Sequence, residues 1–205
     1  MYIPKHFAET ELSVMHQLMR DFPLATLVSH GPDGLAANHI PLHLDASIGA
    51  NGTLRGHIAR ANPLSKASAV DGEILLIFRG PESYISPSGY ATKAEHGKVV
   101  PTWNYTAVHA YGRLRLIDDP AWIFAQISAL TATHESRLPQ PWAVSDAPAD
   151  YIEKMLGAIV GIEITIDRLV GKWKVSQNQP AVNQISLIAA LDGLPMAELI
   201  RGRMG

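Results

Sequence analysis

VPTWNYTAVHAYGRLRL, residues 100–116, decides the fold. From Tyr105 onward its polarity alternates. Thr106, Val108, Ala110, Leu114 and Leu116 share one parity, and Tyr105, His109, Tyr111, Arg113 and Arg115 share the other. Successive strand side chains point to opposite faces, so the segment reads as one long strand with an apolar face. Trp103 and Asn104 stand at its start. In a chain that is only 7% aromatic, this concentration of rings has two readings: an aromatic buried strand, or a surface that holds a flat ligand.

Working outward, ETELSVMHQLMRDF (9–22) spaces Leu12, Met15, Leu18, Met19 and Phe22 by threes and fours, which predicts a helix ending before Pro23. LATLVS (24–29), the turn residues GPDG (31–34) and the alternating LAANHIPLHL then predict a hairpin. TLRGHIA (53–59) and ILLIFRG (74–80) are two further strands. Between them Asn62 is a good N-cap and Pro63 a good first residue for a short helix over NPLSKASAV, with free N–H groups near Ser65 and Lys66. Asp119-Pro120 opens a helix to about Thr133, PADYIEKMLGAI suggests another, and VGIEITID (160–167) alternates as a strand. The tail, NQISLIAALDGLPMAELIRGRM, reads as two short helices broken at 192–195. The absence of regular βαβ alternation makes this an α+β protein, mainly antiparallel β, of the barrel type.

Composition narrows the function. The 205 residues suit one large domain, 47% hydrophobic and 18% charged. With no cysteine there is no disulfide framework, thiolate metal site or cysteine nucleophile, and a cytoplasmic location is expected. The start lacks a secretory h-region, and no run approaches a membrane span, so no membrane association is expected. Against 19 Asp+Glu, 17 Lys+Arg leave a net charge of -2, which provides no bulk field for DNA.

Nine histidines invite a metal, but Pro41 between His39 and His43 argues against a chelating helix. On a strand the two lie roughly 13 Å apart, too far for one ion, so no metal site is expected. GxSxG, GxGxxG and P-loop patterns are absent. ANHIPL (37–42), GHIARANPLSK (56–66) and KWKVSQNQP (172–180) are each readable as a solvent-facing strand with a capped turn. Together they supply His and Asn donors, the cations Arg55, Arg60, Lys66 and Lys172, and a helix start of the kind that takes phosphate.

MYIPKHF, ANHIPL, LRGHIARANP, YISPSGY, HGKVVPTWNYTAVHAYG and KVSQNQ occur in order over residues 1 to about 180. In these the sequence closely resembles the PaiB-like FMN-binding proteins, described as negative transcriptional regulators, within the wider split-barrel flavoprotein fold. The resemblance implies an FMN-binding split β-barrel with flanking helices over 1–182 and a C-terminal helical hairpin over 183–205 packed on the same domain. It also implies a homodimer with FMN near the subunit interface. Asn38, His39 and Ile40, with His57, Ile58 and Ala59, would lie along the flavin, and Asn62, Ser65 and Lys66 near its phosphate. Trp103, Asn104 and Tyr105 would approach from the partner, and Lys172, Ser176 and Gln177 would complete the pocket. One position departs: the family usually reads YISPSWY, and this chain has Gly89 in place of the tryptophan. Either the pocket is wider there or another aromatic fills the gap.

Three functions stay open on the sequence. The first is a flavin-responsive regulator contacting DNA, for which the tail offers Arg201 and Arg203, although a plain helical hairpin explains that tail as well. The second is an FMN-dependent oxidoreductase or flavin reductase of a small molecule, with no residue assignable as acid or base; His109 and Tyr105 are the nearest candidates and read equally well as interface or cofactor contacts. The third is a split-barrel relative that has lost tight cofactor binding.

Overall fold

The computed structural model describes residues 1–66 and 72–204. Its elements, in chain order, begin with β1 (Ala8–Glu9), α1 (Leu12–Asp21), β2 (Leu24–Gly31), β3 (Gly34–Pro41) and β4 (His43–Asp45). Next come β5 (Thr53–Ala59), β6 (Ile74–Ile85), α2 (Lys93–His96), β7 (Thr102–Ile117) and α3 (Pro120–Glu135). The chain ends with α4 (Ala149–Gly157), β8 (Ile159–Lys174), α5 (Ala181–Ala190) and α6 (Pro195–Arg201). The strands form one eight-stranded antiparallel sheet in the order β3-β2-β6-β7-β8-β5-β4, with β1 also paired to β8.

Two compact units share this chain. The first comprises Met1–Leu18, Arg79–Val108 and Val170–Gly205, and the second Met19–Phe78 and His109–Leu169. In the first, Ile85, Tyr90 and Val175 pack with Leu187 of α5 and with Met196 and Ile200 of α6. The tail is therefore half of a core rather than an appended arm. In the second, the inward residues of β2, β5, β6 and β8 (Leu27, Leu54, Leu76, Phe78, Ile162 and Ile164) have essentially no exposure. Each such side chain contributes about 1.5–3 kcal/mol by leaving water.

The alternation in residues 105–116 holds where it matters. Asn104, Thr106, Val108, Ala110 and Gly112 are all buried, whereas Tyr105, His109 and Tyr111 are half-buried. The β2–β3 hairpin closes through Pro32-Asp33, with Gly31 opposite Gly34, and Gly34 adopts φ +96°, which glycine tolerates without strain.

Several details differ from the sequence reading, among them β8, which runs to Lys174 rather than ending at Asp167. β6 runs five residues past Gly80, and the alternating segment after Asn38 breaks at Leu42 into β3 and β4. The Leu42 N–H still bonds the Pro23 carbonyl at 3.0 Å, and from His43 the chain pairs with β5 instead of β2. The helix expected over NPLSKASAV is a single 3-10 turn, Pro63–Ser65, and residues 67–70 of that prediction lie outside the described residues. Asn62 does cap it, its Oδ1 accepting the Leu64 N–H at 2.9 Å. The Ser65 and Lys66 N–H groups are not free, because they bond back to the Asn62 and Pro63 carbonyls.

Candidate functional site

In the second unit, β3 presents Asn38 half-buried, His39 exposed and Ile40 buried, as alternation requires. His39 Nδ1 lies 3.1 Å from Thr26 Oγ1 on the neighbouring strand. Asn62 Nδ2 donates to Asn38 Oδ1 at 2.9 Å, and together they line a cavity of about 230 Å³ beside the 31–34 turn. On β5, Ile58 enters the core, Ala59 is exposed, and His57 turns toward α3, where its Nδ1 meets Gln126 Oε1 at 2.9 Å. Ser65 Oγ donates to the Arg60 carbonyl. Lys66 is exposed, with no carboxylate partner among the described residues. Arg60 and Arg55 do have such partners. Arg60 pairs with Asp118, and Arg55 bridges Asp45 and Glu163. The Arg115 and Arg55 guanidiniums hold the Glu163 carboxyl below its ordinary range against the opposing effect of burial.

In the first unit, Trp103 is 54% exposed and meets Tyr84 edge to face at 5.8 Å between centroids. With Tyr105, Arg79 and Glu82 it borders an open hollow of about 460 Å³. Lys174 donates to Thr102 Oγ1 and, at 2.7 Å, to the Trp103 carbonyl, and burial lowers its pKa. Lys172 is buried. Its Nζ donates to the Tyr2 carbonyl at 3.1 Å and lies 5.1 Å from the Tyr105 ring centroid, within cation–π range. Gln177 spends its amide locally, accepting from the Val175 N–H and donating to the Trp173 carbonyl.

Asn104 has no exposure; its Nδ2 donates to Ser176 Oγ at 2.8 Å while its Oδ1 has no partner. Ser176 is, among the described residues, the non-glycine with positive φ, at 67°. That left-handed conformation costs about 1–2 kcal/mol in an L-residue and is held by neighbours here. Gln184 Nε2 of α5 donates to the Ser176 carbonyl at 3.1 Å.

At Gly89 neither sequence alternative describes the surroundings. A Cβ there would lie 2.9 Å from Leu187 Cδ2 and 3.7 Å from the Ala190 Cβ, so α5 occupies the direction a side chain would take. Sequence reasoning passed over Gln126, Tyr84 and Lys174. Tyr84 lay beyond the expected end of β6, Lys174 sat in a quoted motif without being singled out, and Gln126 gave no signal. Among the described residues no three His, Cys, Asp or Glu side chains gather as a metal site, and no helix is long and apolar enough to cross a membrane.

An antiparallel sheet with flanking helices, amide donors, an exposed aromatic ring and a solvent-facing lysine fits one class: a split-barrel flavoprotein fold. The chain belongs to the family whose model is described as "Putative FMN-binding domain", which matches residues 1–168, and its cofactor is FMN. An uncharacterized protein of Emericella nidulans is 38% identical over 95% of this chain and 91% of its own length. "Protease synthase and sporulation protein PAI 2" of Bacillus subtilis is 27% identical over 100% and 98%. Among solved structures, the flavocytochrome Anf3 of Azotobacter vinelandii superposes with a TM-score of 0.59 at 16% identity, over 84% of this chain and 72% of that one.

The residues present suit FMN. Exposed His39 and half-buried Asn38 and Asn62 offer polar groups to a flavin edge. Trp103 and Tyr105 offer ring faces, and Lys66 offers a cation to a dianionic phosphate.

Proposed function

We propose that the chain acts as a homodimeric, FMN-dependent oxidoreductase of a small molecule. The family likeness supports flavin contacts from Asn38, His39, Ile40, His57, Ile58, Ala59, Asn62, Ser65 and Lys66 of one subunit, with Trp103, Asn104 and Tyr105 approaching from its partner and Lys172, Ser176 and Gln177 completing the pocket. The observation that carries this reading is the exposed Trp103 with the half-buried Tyr105 beside an open hollow, where a flat ring can lie with one face left accessible. Bound flavin supplies hydride and electron transfer, and the protein needs only to orient the ring and its reactant. Zero cysteines suit a cytoplasmic protein.

A second reading, a flavin-responsive negative transcriptional regulator, is supported by the likeness to the Bacillus subtilis protein named for protease synthesis and sporulation. Against direct DNA contact by the tail, Arg203 pairs with the buried Glu9 and Arg201 with Glu198. The Arg203 pair is held against a buried carboxylate, whereas the Arg201 pair is a surface one.

Absorbance at about 450 nm in the purified protein, bleached by NAD(P)H, is the expected result. Retention of a promoter fragment at physiological salt, lost on removing residues 183–205, would instead favour the regulator. Lys66→Ala should weaken FMN about ten-fold and leave riboflavin unchanged. Equal losses for both would remove Lys66 from the phosphate.

A further inference from the structure

A further cavity, of about 220 Å³, lies within the first unit, between residues 90–100 and the start of α5. Val99, Val100 and Pro180 form its apolar wall, and among the described residues no Asp or Glu lines it. None of its residues is used by the flavin reading.

Two backbone N–H groups decide which way its polar side chains point, because a backbone N–H can only donate. The Thr92 N–H donates to Asn183 Oδ1 at 3.1 Å. Asn183 Nδ2 is therefore the donor to Thr92 Oγ1 at 3.0 Å and to Gln179 Oε1 at 3.1 Å. That leaves Gln179 presenting its Nε2, for which no acceptor stands among the described residues. The Lys98 N–H donates to His96 Nδ1 at 3.0 Å, which puts the proton of the neutral imidazole on Nε2. Tyr90 is only 4% exposed, and its hydroxyl has no partner among the described residues. Burial raises the Tyr90 pKa, so the hydroxyl keeps its proton. Neither this hydroxyl nor Gln179 Nε2 is among the atoms sealed from solvent. The exposed Lys98 adds an ammonium group.

The uncommitted groups of Tyr90, His96, Gln179 and Lys98 are thus all able to donate, while the acceptors of Asn183, Gln179 and His96 are already occupied. A guest suited to such a lining brings acceptors and a negative charge, and no donors. We propose that this cavity binds a small aliphatic carboxylate. Its two oxygens take the donors of Tyr90, His96, Gln179 and Lys98, and its short tail lies against Val99, Val100 and Pro180. Inorganic phosphate shares the charge and has no tail to bury on that wall. The site does not rest on the cofactor reading.

The test titrates isobutyrate, isobutyramide and inorganic phosphate separately into the full-length, nitrogen-15-labelled protein, read by the NMR shifts of the Lys98 and Val99 amides. Isobutyramide keeps the outline and turns an N–H toward the donors. Isobutyrate should saturate and bind at least about ten-fold more tightly than either. Lys98→Met should lower its affinity about ten-fold and leave isobutyramide within about two-fold. Tyr90→Phe, which keeps the buried ring, should lower it about five-fold. Lys93→Met removes the same charge from α2 outside the lining and should leave it within about two-fold, and the spectrum of each variant reports its fold. No saturable shift, equal binding of the amide or of phosphate, an unchanged affinity in Tyr90→Phe, or an equal loss in Lys93→Met would overturn the proposal. Competition by free FMN would assign these donors to the cofactor's phosphate and overturn it as well.

Discussion

Asn104 and Gln126 are both buried amides with one atom bonded and one unmet, yet their surroundings differ. Asn104, in the first unit, has no exposure and bonds a serine held in a left-handed backbone conformation. Gln126, in the second, bonds a half-buried histidine that lines a cavity. Removing the first strands Ser176 Oγ where water does not reach. Removing the second strands a His57 nitrogen that solvent in the cavity can reach. Both unmet amide atoms are buried, so the two places differ in what the amide holds: a serine in a left-handed turn in one and a half-buried histidine in the other.

The largest expected effect tests this directly. Asn104→Leu should lower stability by about 2–3 kcal/mol, because Ser176 Oγ loses its partner and the αL turn its anchor. Gln126→Leu should cost less than about 1 kcal/mol, since an apolar isostere replaces an already half-unsatisfied amide. Urea unfolding measures both, and equal costs would break the comparison. A smaller effect sharpens it. Helix α5 carries both Gln184, which donates to the Ser176 carbonyl, and Leu187, which covers Gly89. Gly89→Trp must push that helix outward, at about 1–2 kcal/mol. If the αL turn is clamped by α5, amide exchange at Ser176–Gln179 should quicken in this variant. Unchanged exchange there would show that the turn holds its conformation without the helix.

Much of this architecture is legible in the sequence because it is written in neighbours. Parity along β7 and β5, the hairpin around Pro32-Asp33 and the caps at Asn62 and Asp119 each depend on residues within a few positions. Long-range placement is not written that way. α3 reads AWIFAQISALTA, apolar on nearly every side, so no polar face marks Gln126 as the amide that turns inward. Nothing in KVSQNQ requires Ser176 to take positive φ; that follows from Asn104 and Gln184 arriving from elsewhere in the chain. At Gly89 the sequence shows the missing tryptophan but not α5, nearly one hundred positions later, in its place. The cap at Asn62 was read correctly and its extension was not, because i→i+3 bonding consumed the very N–H groups expected to be free.

The smallest effect separates the two units by charge. Asn104 and Thr106, the unmet polar groups of the first, do not titrate, whereas His109 and His43 of the second do. Burial holds both histidines below their ordinary value of 6.5, with Arg55 and Arg20 reinforcing it for His43 and Asp45 opposing it. Burial favours their neutral form in the folded protein, so on acidification the unfolded chain takes up protons first. Their contribution is complete above about pH 6.5 and is lost as the pH falls from there through the depressed folded values. Both side chains are half-exposed, so solvent discounts the effect. Hydrogen exchange, corrected for intrinsic rate, should therefore quicken in Met19–Phe78 and His109–Leu169 more than in the first unit between about pH 7.5 and 5.5. His109→Phe should reduce that difference, because a phenyl ring keeps the burial and cannot charge. A difference unchanged in this variant would assign the asymmetry to groups other than the buried imidazole.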